Sequence, residues 1–172
     1  ERREALPAGH VEIAAEASLI STGTELKFYR GDFGGGNDDA PLDATIASLK
    51  DSTLGYPLDY GYSLSGIVVR AAAGVEPSLL GQRVFAFHPH ASAAVAAADG
   101  VQRVPDGVGA SDAVYLPALE TALSIAHDAH VRPGESTLVV GQGLIGLLVT
   151  AVLARAAPGA DVVAVDALGQ RR

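Results

Sequence analysis

The stretch from Ser136 to Asp166 constrains this chain most, because its order of apolar and helix-breaking residues is compatible with few folds. Ser136–Val140 predicts a short buried strand, and a glycine-rich turn follows it directly. The nearly uninterrupted apolar run Leu144–Ala157 predicts a buried helix, which Pro158-Gly159 ends. The apolar run Asp161–Val165 predicts a second strand. This order is typical of a β-α-β unit with parallel strands.

Three glycines in the turn have separate predicted roles. Gly141 permits the tight turn out of the strand, Gly143 lets a pyrophosphate approach the backbone, and Gly146 lets the helix lie close to the sheet. The amides at the start of the helix, including those of Leu144 and Ile145, offer free N–H groups and a partial positive charge to a phosphate. The sequence therefore predicts a dinucleotide-binding loop, and a glycine-rich turn without a ligand is the alternative.

Asp166 lies twenty residues after Gly146, at the end of the second predicted strand. A carboxylate at this place accepts hydrogen bonds from a ribose diol and repels a 2′-phosphate, so NAD is favoured over NADP. Arg171 and Arg172 weaken this preference, because a nearby arginine binds a phosphate well. The alternative for Asp166 is a solvated strand end.

The charge balance limits the classes of partner. The formal net charge is −8, which argues against nucleic acid and means that local backbone dipoles must hold an anionic cofactor. The chain has no cysteine, so disulfides and thiolate metal sites are excluded. No apolar run reaches about 18 residues, which predicts no membrane span. Because no secretory signal is visible either, we expect a cytoplasmic or organelle-stroma location.

The first part of the chain has the pattern of a β-rich domain. His10–Ser18 alternates apolar and polar residues, as a half-buried strand does, and Ser21–Glu25 is a polar turn that starts a short helix. Further short strands, separated by turns, are predicted at Ser63–Arg70, Arg83–Phe87, Ser92–Ala98 and Val101–Val104. Gly66 marks a close approach of two backbones. These strands predict a small β barrel or sandwich up to about residue 108.

Three other segments complete the prediction. Gly34–Asp39 is expected to be a mobile loop and Leu42–Leu54 a loose helix. A longer helix begins near Ser111, whose hydroxyl is expected to cap it, and Val131–Gly134 ends it. The apolar residues expected on one face of this helix are Leu116, Leu119, Leu123 and Ala126.

The order of these parts resembles the medium-chain dehydrogenase/reductase superfamily, over essentially the whole chain. The motifs that carry the resemblance are the dinucleotide motif, Ile20–Glu25, Tyr60–Val68, Gly81–Val84, Leu116–Ala122 and Val131–Glu135. The resemblance implies a mixed α/β fold: a GroES-like β barrel at 1–108, a connecting helix at 109–134, and the first β-α-β unit of a Rossmann fold at 135–172. The Ser-Thr-Gly-Thr-Glu motif is similar to the branch with bacteriochlorophyllide dehydrogenases and threonine dehydrogenase-related proteins.

The chain departs from the zinc-containing members at the metal ligands. Thr22 stands where they have a ligand cysteine, Tyr62 where they have a ligand histidine, and Ala118 near the last ligand cysteine. A tetrahedral zinc site needs about three protein ligands of N, S or O type. The resemblance therefore implies a zinc-independent member. The pairs His88/His90 and His127/His130 invite a metal interpretation, but loop and helix-surface histidines are favoured.

The resemblance also implies roles for several polar residues. Thr24 resembles a hydroxyl that relays a proton from the substrate, with a turn or cap hydroxyl as the alternative. Tyr62 would face the cleft and donate a hydrogen bond to a carbonyl as hydride arrives, or simply line the pocket. Glu25 matches an acid that supports the metal ligands; without a metal it caps the turn or pairs with Lys27 or Arg30.

Glu120 and Thr121 lie where the family contacts the nicotinamide end of the cofactor, and ordinary helix residues are the alternative. The resemblance thus implies an NAD(P)-dependent oxidoreductase without catalytic zinc. It would transfer hydride between a nicotinamide cofactor and a small-molecule carbonyl, alcohol or activated alkene. A non-catalytic subunit or binding module of a larger assembly is the alternative.

The number of predicted Rossmann strands is the second departure. A family Rossmann domain has about six parallel strands, whereas this chain supplies two. Two strands alone leave an apolar edge exposed. We therefore expect that the chain continues beyond Arg172, with a homodimer formed through the missing half, or that a partner covers this edge.

Overall fold

A computed structural model describes residues 5–31, 57–156, 159 and 161–171. The predicted loop at Gly34–Asp39 and the predicted helix at Leu42–Leu54 lie outside these residues. The chain divides into two compact units, Glu1–Val114 and Tyr115–Arg172. None of the helices in the described ranges is long and apolar enough to cross a membrane.

The first unit is built on a curled, five-stranded antiparallel sheet with the strand order β4-β1-β2-β3-β5. The strands are β1 His10–Ser18, β2 Leu64–Ala71, β3 Arg83–Ala86, β4 Ala93–Ala97 and β5 Val101–Arg103. Each lies at the place that the sequence predicts, within one residue at either end.

The core of this sheet follows the alternation of its strands. Val11 and Ile13 of β1 are fully buried and pack with Leu64, Val68, Leu79, Val84, Ala86 and Ala94. Gly66 on β2 lies against β1, and a Cβ atom added there would overlap the carbonyl oxygen of Ala14. The close backbone approach predicted at Gly66 is therefore confirmed.

Two short helices lie in the described part of the first unit. Helix α1, Glu25–Tyr29, follows the polar turn as predicted. Helix α2, Ala110–Ala113, has Gly109 as its N-cap and no side-chain cap bond, so the predicted capping by Ser111 is wrong. The single helix predicted from Ser111 is also wrong, because a new helix begins at Leu116 with Pro117 in its first turn, where proline is well tolerated.

The second unit contains a β-α-β unit preceded by a helix. Its elements are α3 Leu116–Asp128, β6 Ser136–Val140, α4 Leu144–Ala156 and β7 Asp161–Val165. Strands β6 and β7 pair in parallel, with Ser136 opposite Asp161. The predicted β-α-β order is confirmed, although Pro158 lies outside the described residues.

Helix α3 packs through a face that is shifted from the predicted one. Ala122 is fully buried against Val149 and Leu153 of α4. Ala126, which belongs to the predicted face, packs against the same cluster, whereas Leu119 and Leu123 are 38% and 40% exposed. A small residue at the contact lets two helix backbones approach closely, which a hydrophobicity pattern does not reveal.

Strand β6 is less buried than predicted. Val139 packs against the cluster formed by α3 and α4, but Leu138 and Val140, on the opposite face, are 60% and 76% exposed. The prediction of a buried strand was wrong because α4 covers one face of the two-stranded sheet, and no described residue of this unit buries the other.

Candidate functional site

The turn after β6 requires glycine at two positions for different reasons. Gly141 has φ +93°, a left-handed conformation that other residues rarely adopt, and its N–H donates to the carbonyl of Val165 over 2.8 Å. At Gly146, a Cβ atom would overlap the carbonyl oxygen of Gly141. The first turn of α4 therefore lies directly against the turn that leaves β6.

The N-terminus of α4 presents three backbone amides. The first bond of this helix runs from the N–H of Leu147 to the carbonyl of Gly143 over 2.9 Å. Gly143 is thus the N-cap, and the amides of Leu144, Ile145 and Gly146 have no acceptor within the helix. Together with the helix dipole, these amides form a positive end that attracts an anion.

The space in front of Gly143 is open. The nearest atom to a Cβ built on this residue is Nη1 of Arg171, at 3.9 Å. A phosphate oxygen can therefore approach the backbone of Gly143 without meeting a side chain of its own turn. These residues fit the diphosphate of a dinucleotide.

Gln142 supports this loop from inside, and the sequence analysis did not single it out. The residue is 4% exposed, and its Nε2 donates to the carbonyls of Gly141 and Val139 over 3.3 and 3.4 Å. Its Oε1 accepts a hydrogen bond from Thr150 of α4 at 3.4 Å. The only sequence signal was a polar residue between glycines that precede an apolar helix.

Asp166 braces the same loop. Its side chain is 7% exposed; Oδ2 accepts the N–H of Gln142, and Oδ1 accepts the N–H of Leu168, both over 2.7 Å. The carboxylate thus joins the glycine turn to the end of β7, a role that the sequence analysis did not predict. A carboxylate accepts about four hydrogen bonds, so this bracing is compatible with a ribose contact.

Arg171 lies beside this brace, in a turn of 3₁₀ helix. Its Nη1 is 4.0 Å from Oδ2 of Asp166, and its side chain is 49% exposed. A cation therefore stands at the rim of the loop, next to Gly143. Arg172 lies outside the described residues.

Thr121 has a local partner. Its hydroxyl donates to the carbonyl of Pro117, one turn earlier in α3, over 2.9 Å, and the residue is exposed. This matches the ordinary helix role, and its contact with a nicotinamide stays a prediction.

The two candidate catalytic hydroxyls belong to loops of the first unit. Thr24 is the N-cap of α1, but its side chain makes no capping hydrogen bond, so the role of a cap hydroxyl is wrong and that of a turn hydroxyl stays a prediction. Tyr62 is half-buried and follows Gly61 in the segment before β2. Their chemical roles stay predictions.

Glu25 and His90 form a pair that the sequence analysis missed. Glu25 is 7% exposed; its Oε1 accepts the N–H of Ser21 over 2.8 Å, and its Oε2 lies 2.7 Å from Nε2 of His90. Glu25 therefore caps its turn, as one alternative predicted, but its side-chain partner is His90 and not Lys27 or Arg30. His90 is correspondingly not a simple surface histidine. A buried carboxylate needs a partner, but the burial of Glu25 is visible only in the structure, so no signal in the sequence indicated the pair.

A metal interpretation finds no support in the described residues, where no group of three or more His, Cys, Asp or Glu side chains is arranged to hold a metal ion. Thr22 is exposed and Tyr62 is half-buried. Zinc independence itself stays a prediction.

No protein-family model matches the chain. Among curated proteins, it is 35% identical over 99 residues to quinone oxidoreductase-like protein 2 of Rattus norvegicus. This match covers 54% of the chain and 28% of that protein. It is 38% identical over 68 residues to D-xylulose reductase A of Aspergillus oryzae. This second match covers 40% of the chain and 19% of that protein. The matches therefore cover less than a third of either relative.

Solved structures match nearly the whole chain. Escherichia coli quinone oxidoreductase complexed with NADPH superposes with a TM-score of 0.68 and 20% identity, over 99% of this chain and 48% of that one. A protein described as a short chain alcohol dehydrogenase of Escherichia coli, complexed with NADH, superposes with a TM-score of 0.73 and 20% identity, over 99% of this chain and 53% of that one. The CurK enoyl reductase superposes with a TM-score of 0.68 and 22% identity, over 95% of this chain and 48% of that one. The chain thus spans about half the length of these structures, which at such identity show the fold alone.

The chain shares with these structures a curled β sheet followed by a Rossmann-type β-α-β unit, and two of the structures are complexes with NADPH or NADH. The sequence matches to quinone oxidoreductase-like protein 2 and D-xylulose reductase A agree with the resemblance to the medium-chain dehydrogenase/reductase superfamily.

Proposed function

We propose that this protein is an NAD(P)-dependent oxidoreductase that works without catalytic zinc. It transfers hydride between a nicotinamide cofactor and a small-molecule carbonyl, alcohol or activated alkene. The observation that carries the proposal is the open N-terminus of α4, where three backbone amides and the uncovered backbone of Gly143 form an anion site. Two of the superposed structures contain NADPH or NADH, which supports the same assignment.

The chain's residues would bind and orient the cofactor. The amides of Leu144, Ile145 and Gly146 hold the diphosphate. The carboxylate of Asp166, which accepts the amide of Gln142, also accepts a hydrogen bond from the adjacent ribose in this proposal. The bound cofactor supplies the hydride chemistry. The protein therefore contributes position and charge stabilisation at the reacting oxygen.

The oxygen of the substrate needs a hydrogen-bond donor when hydride arrives. Thr24 and Tyr62 are the candidates, since the hydroxyl of Thr24 caps no helix and Tyr62 is half-buried beside Gly61. Each hydroxyl has one O–H to donate. Without a metal to polarise a carbonyl, reduction of an activated alkene or a quinone is favoured over oxidation of a simple alcohol.

Asp166 favours NAD over NADP in this proposal, because its carboxylate repels a 2′-phosphate. Arg171 opposes this preference, since its guanidinium lies 4.0 Å from that carboxylate and is half exposed. Both cofactors are therefore expected to bind, with NADH the tighter of the two.

The experiment is a titration followed by turnover. The chain has no tryptophan, so the fluorescence of NADH can be followed with little protein background. Saturable enhancement of that fluorescence, with oxidation of the bound cofactor by benzoquinone or cyclohexenone, is the expected result. Binding without turnover on these compounds and on cyclohexanone would favour the non-catalytic alternative, and no binding would overturn the proposal.

A further inference from the structure

Three loops of the first unit meet at one partly buried hydrogen bond between a carboxylate and an imidazole. Glu25 starts α1, and its carboxylate binds both the N–H of Ser21 at 2.8 Å and Nε2 of His90 at 2.7 Å. The backbone N–H of His90 donates to the carbonyl of Tyr60 over 3.1 Å. The polar turn at 21–25, the loop at 88–90 and the segment at 60–63 are therefore joined through His90.

The imidazole ring of His90 also packs closely against Gly61. Gly61 has φ +126°, and a Cβ atom built there would lie 2.8 Å from both Cδ2 and Nε2 of His90. Such a distance is too short for a real contact, so only glycine permits this ring position. The ring is therefore fixed by Gly61 on one side and by Glu25 at its end.

The hydrogen-bond network assigns the tautomer of His90. A carboxylate is an acceptor, so Nε2 carries the proton that it donates to Glu25. The other ring nitrogen, Nδ1, is buried and has no hydrogen-bond partner among the described residues. The bond to Glu25 is thus the ring's one polar contact within that part of the chain.

We propose that Glu25 and His90 are a positioning pair for the reaction. Thr24 directly precedes Glu25, and Tyr62 directly follows Gly61, so the pair joins the two segments that carry the candidate catalytic hydroxyls. While the hydrogen bond holds, the positions of these hydroxyls are fixed relative to each other. Its effect on turnover rests on the proposed function, whereas its effect on loop order does not.

Two substitutions of His90 separate position from chemistry. In His90→Gln the side-chain amide nitrogen reaches the place of Nε2, whereas in His90→Asn it reaches only the place of Nδ1. We expect His90→Gln to keep the protection of the Ser21 amide from hydrogen exchange and most of the turnover. In His90→Asn, that amide should exchange about tenfold faster, and kcat with benzoquinone should fall about 100-fold while the Kd of NADH stays unchanged.

A second pair of variants reaches the same contact through the backbone. Gly61→Ala should displace the imidazole and reproduce both effects of His90→Asn. Gly81 also has a positive φ, +80°, but nothing lies within 4 Å of an added Cβ atom. Gly81→Ala therefore shares the backbone strain without the collision, and it should leave the exchange of the Ser21 amide and the turnover unchanged.

The two readouts decide the outcome separately. Unchanged Ser21 exchange in both His90→Asn and Gly61→Ala would overturn the proposal. So would a His90→Gln protein that keeps this protection yet loses turnover as His90→Asn does, because His90 would then act as a proton-transfer group. If the wild-type protein neither binds NADH nor reduces benzoquinone, the proposed function fails, but hydrogen exchange still tests the pair.

Discussion

At the scale of single residues, glycines shape the turn between β6 and α4, and the side chains of Gln142 and Asp166 hold it. The roles predicted for Gly141 and Gly146 agree with the positive φ and the tight contact that the structure shows. These roles were predictable because each depends on near neighbours in the chain. The braces by Gln142 and Asp166 depend on partners up to 24 residues away, which a local pattern does not specify.

Gly146→Ala should destabilise the protein. The added methyl group overlaps the carbonyl oxygen of Gly141, which is backbone and cannot turn aside. We expect a loss of about 2 kcal/mol or more in the free energy of unfolding, measured by calorimetry. Gly100→Ala is the control, because nothing lies within 4 Å of its added Cβ atom. Equal unfolding temperatures for the two variants would contradict the close approach of α4 to the turn.

Arg171→Ala should sharpen the preference for NADH. The guanidinium stands beside Gly143 and Asp166, where it offsets the charge of that carboxylate. We expect the ratio of the Kd of NADPH to that of NADH to rise about tenfold, as for a lost charge-assisted hydrogen bond.

The control for Arg171→Ala is Arg155→Ala, which removes the same charge from the last turn of α4. Nη1 of Arg155 donates to the carbonyl of Ala151 on the same helix. An equal change of the Kd ratio in both variants would point to net charge alone and would argue against a phosphate contact by Arg171.

At the scale of elements, the second unit depends on the contact between α3 and α4. Hydrophobic periodicity predicted a leucine-rich face for α3, whereas the contact is centred on Ala122, with Ala126 of the predicted face beside it. Burial of β6 was overestimated in the same way, because an apolar sequence shows that a strand can be buried and not whether a neighbour covers it. Element type is set locally, and element partners are set by the rest of the fold.

Leu153→Ala should destabilise the second unit, since Leu153 is 3% exposed in the cluster with Ala122 and Val149. Removal of a buried leucine side chain costs about 2–5 kcal/mol, and circular dichroism during thermal unfolding would detect the shift. Leu147, on the same helix, is 56% exposed, so Leu147→Ala should change stability by less than about 0.5 kcal/mol. Similar losses in both variants would contradict the described packing of α4.

At the scale of the whole molecule, the chain carries its two sets of candidate residues in different units. The unit Glu1–Val114 holds Thr24, Tyr62 and the Glu25–His90 pair, and the unit Tyr115–Arg172 holds the glycine loop. The order of these parts was predictable from motifs, because each motif fits its own local structure. The Glu25–His90 pair joins residues 65 apart and was not predictable in this way. The expectation that a continuation of the chain or a partner covers the exposed side of β6 and β7 stays a prediction.

The central claim is that the amides at the start of α4 hold a diphosphate against the backbone of Gly143. Because the protein's net charge is −8, the attraction for an anionic cofactor must come from these local dipoles. Gly143→Ala tests the claim directly: the added methyl group meets no atom closer than 3.9 Å and requires no left-handed backbone, so the fold should be unaffected.

The decisive measurement is the Kd of NADH, from its fluorescence, for the wild-type protein, Gly143→Ala and the control Gly100→Ala. We expect Gly143→Ala to weaken binding by about tenfold or more, or about 1.4 kcal/mol, because the methyl group occupies the place of a phosphate oxygen. The control should bind as the wild type does, and all three proteins should unfold at the same temperature. Equal Kd values for Gly143→Ala and the wild type would contradict the account.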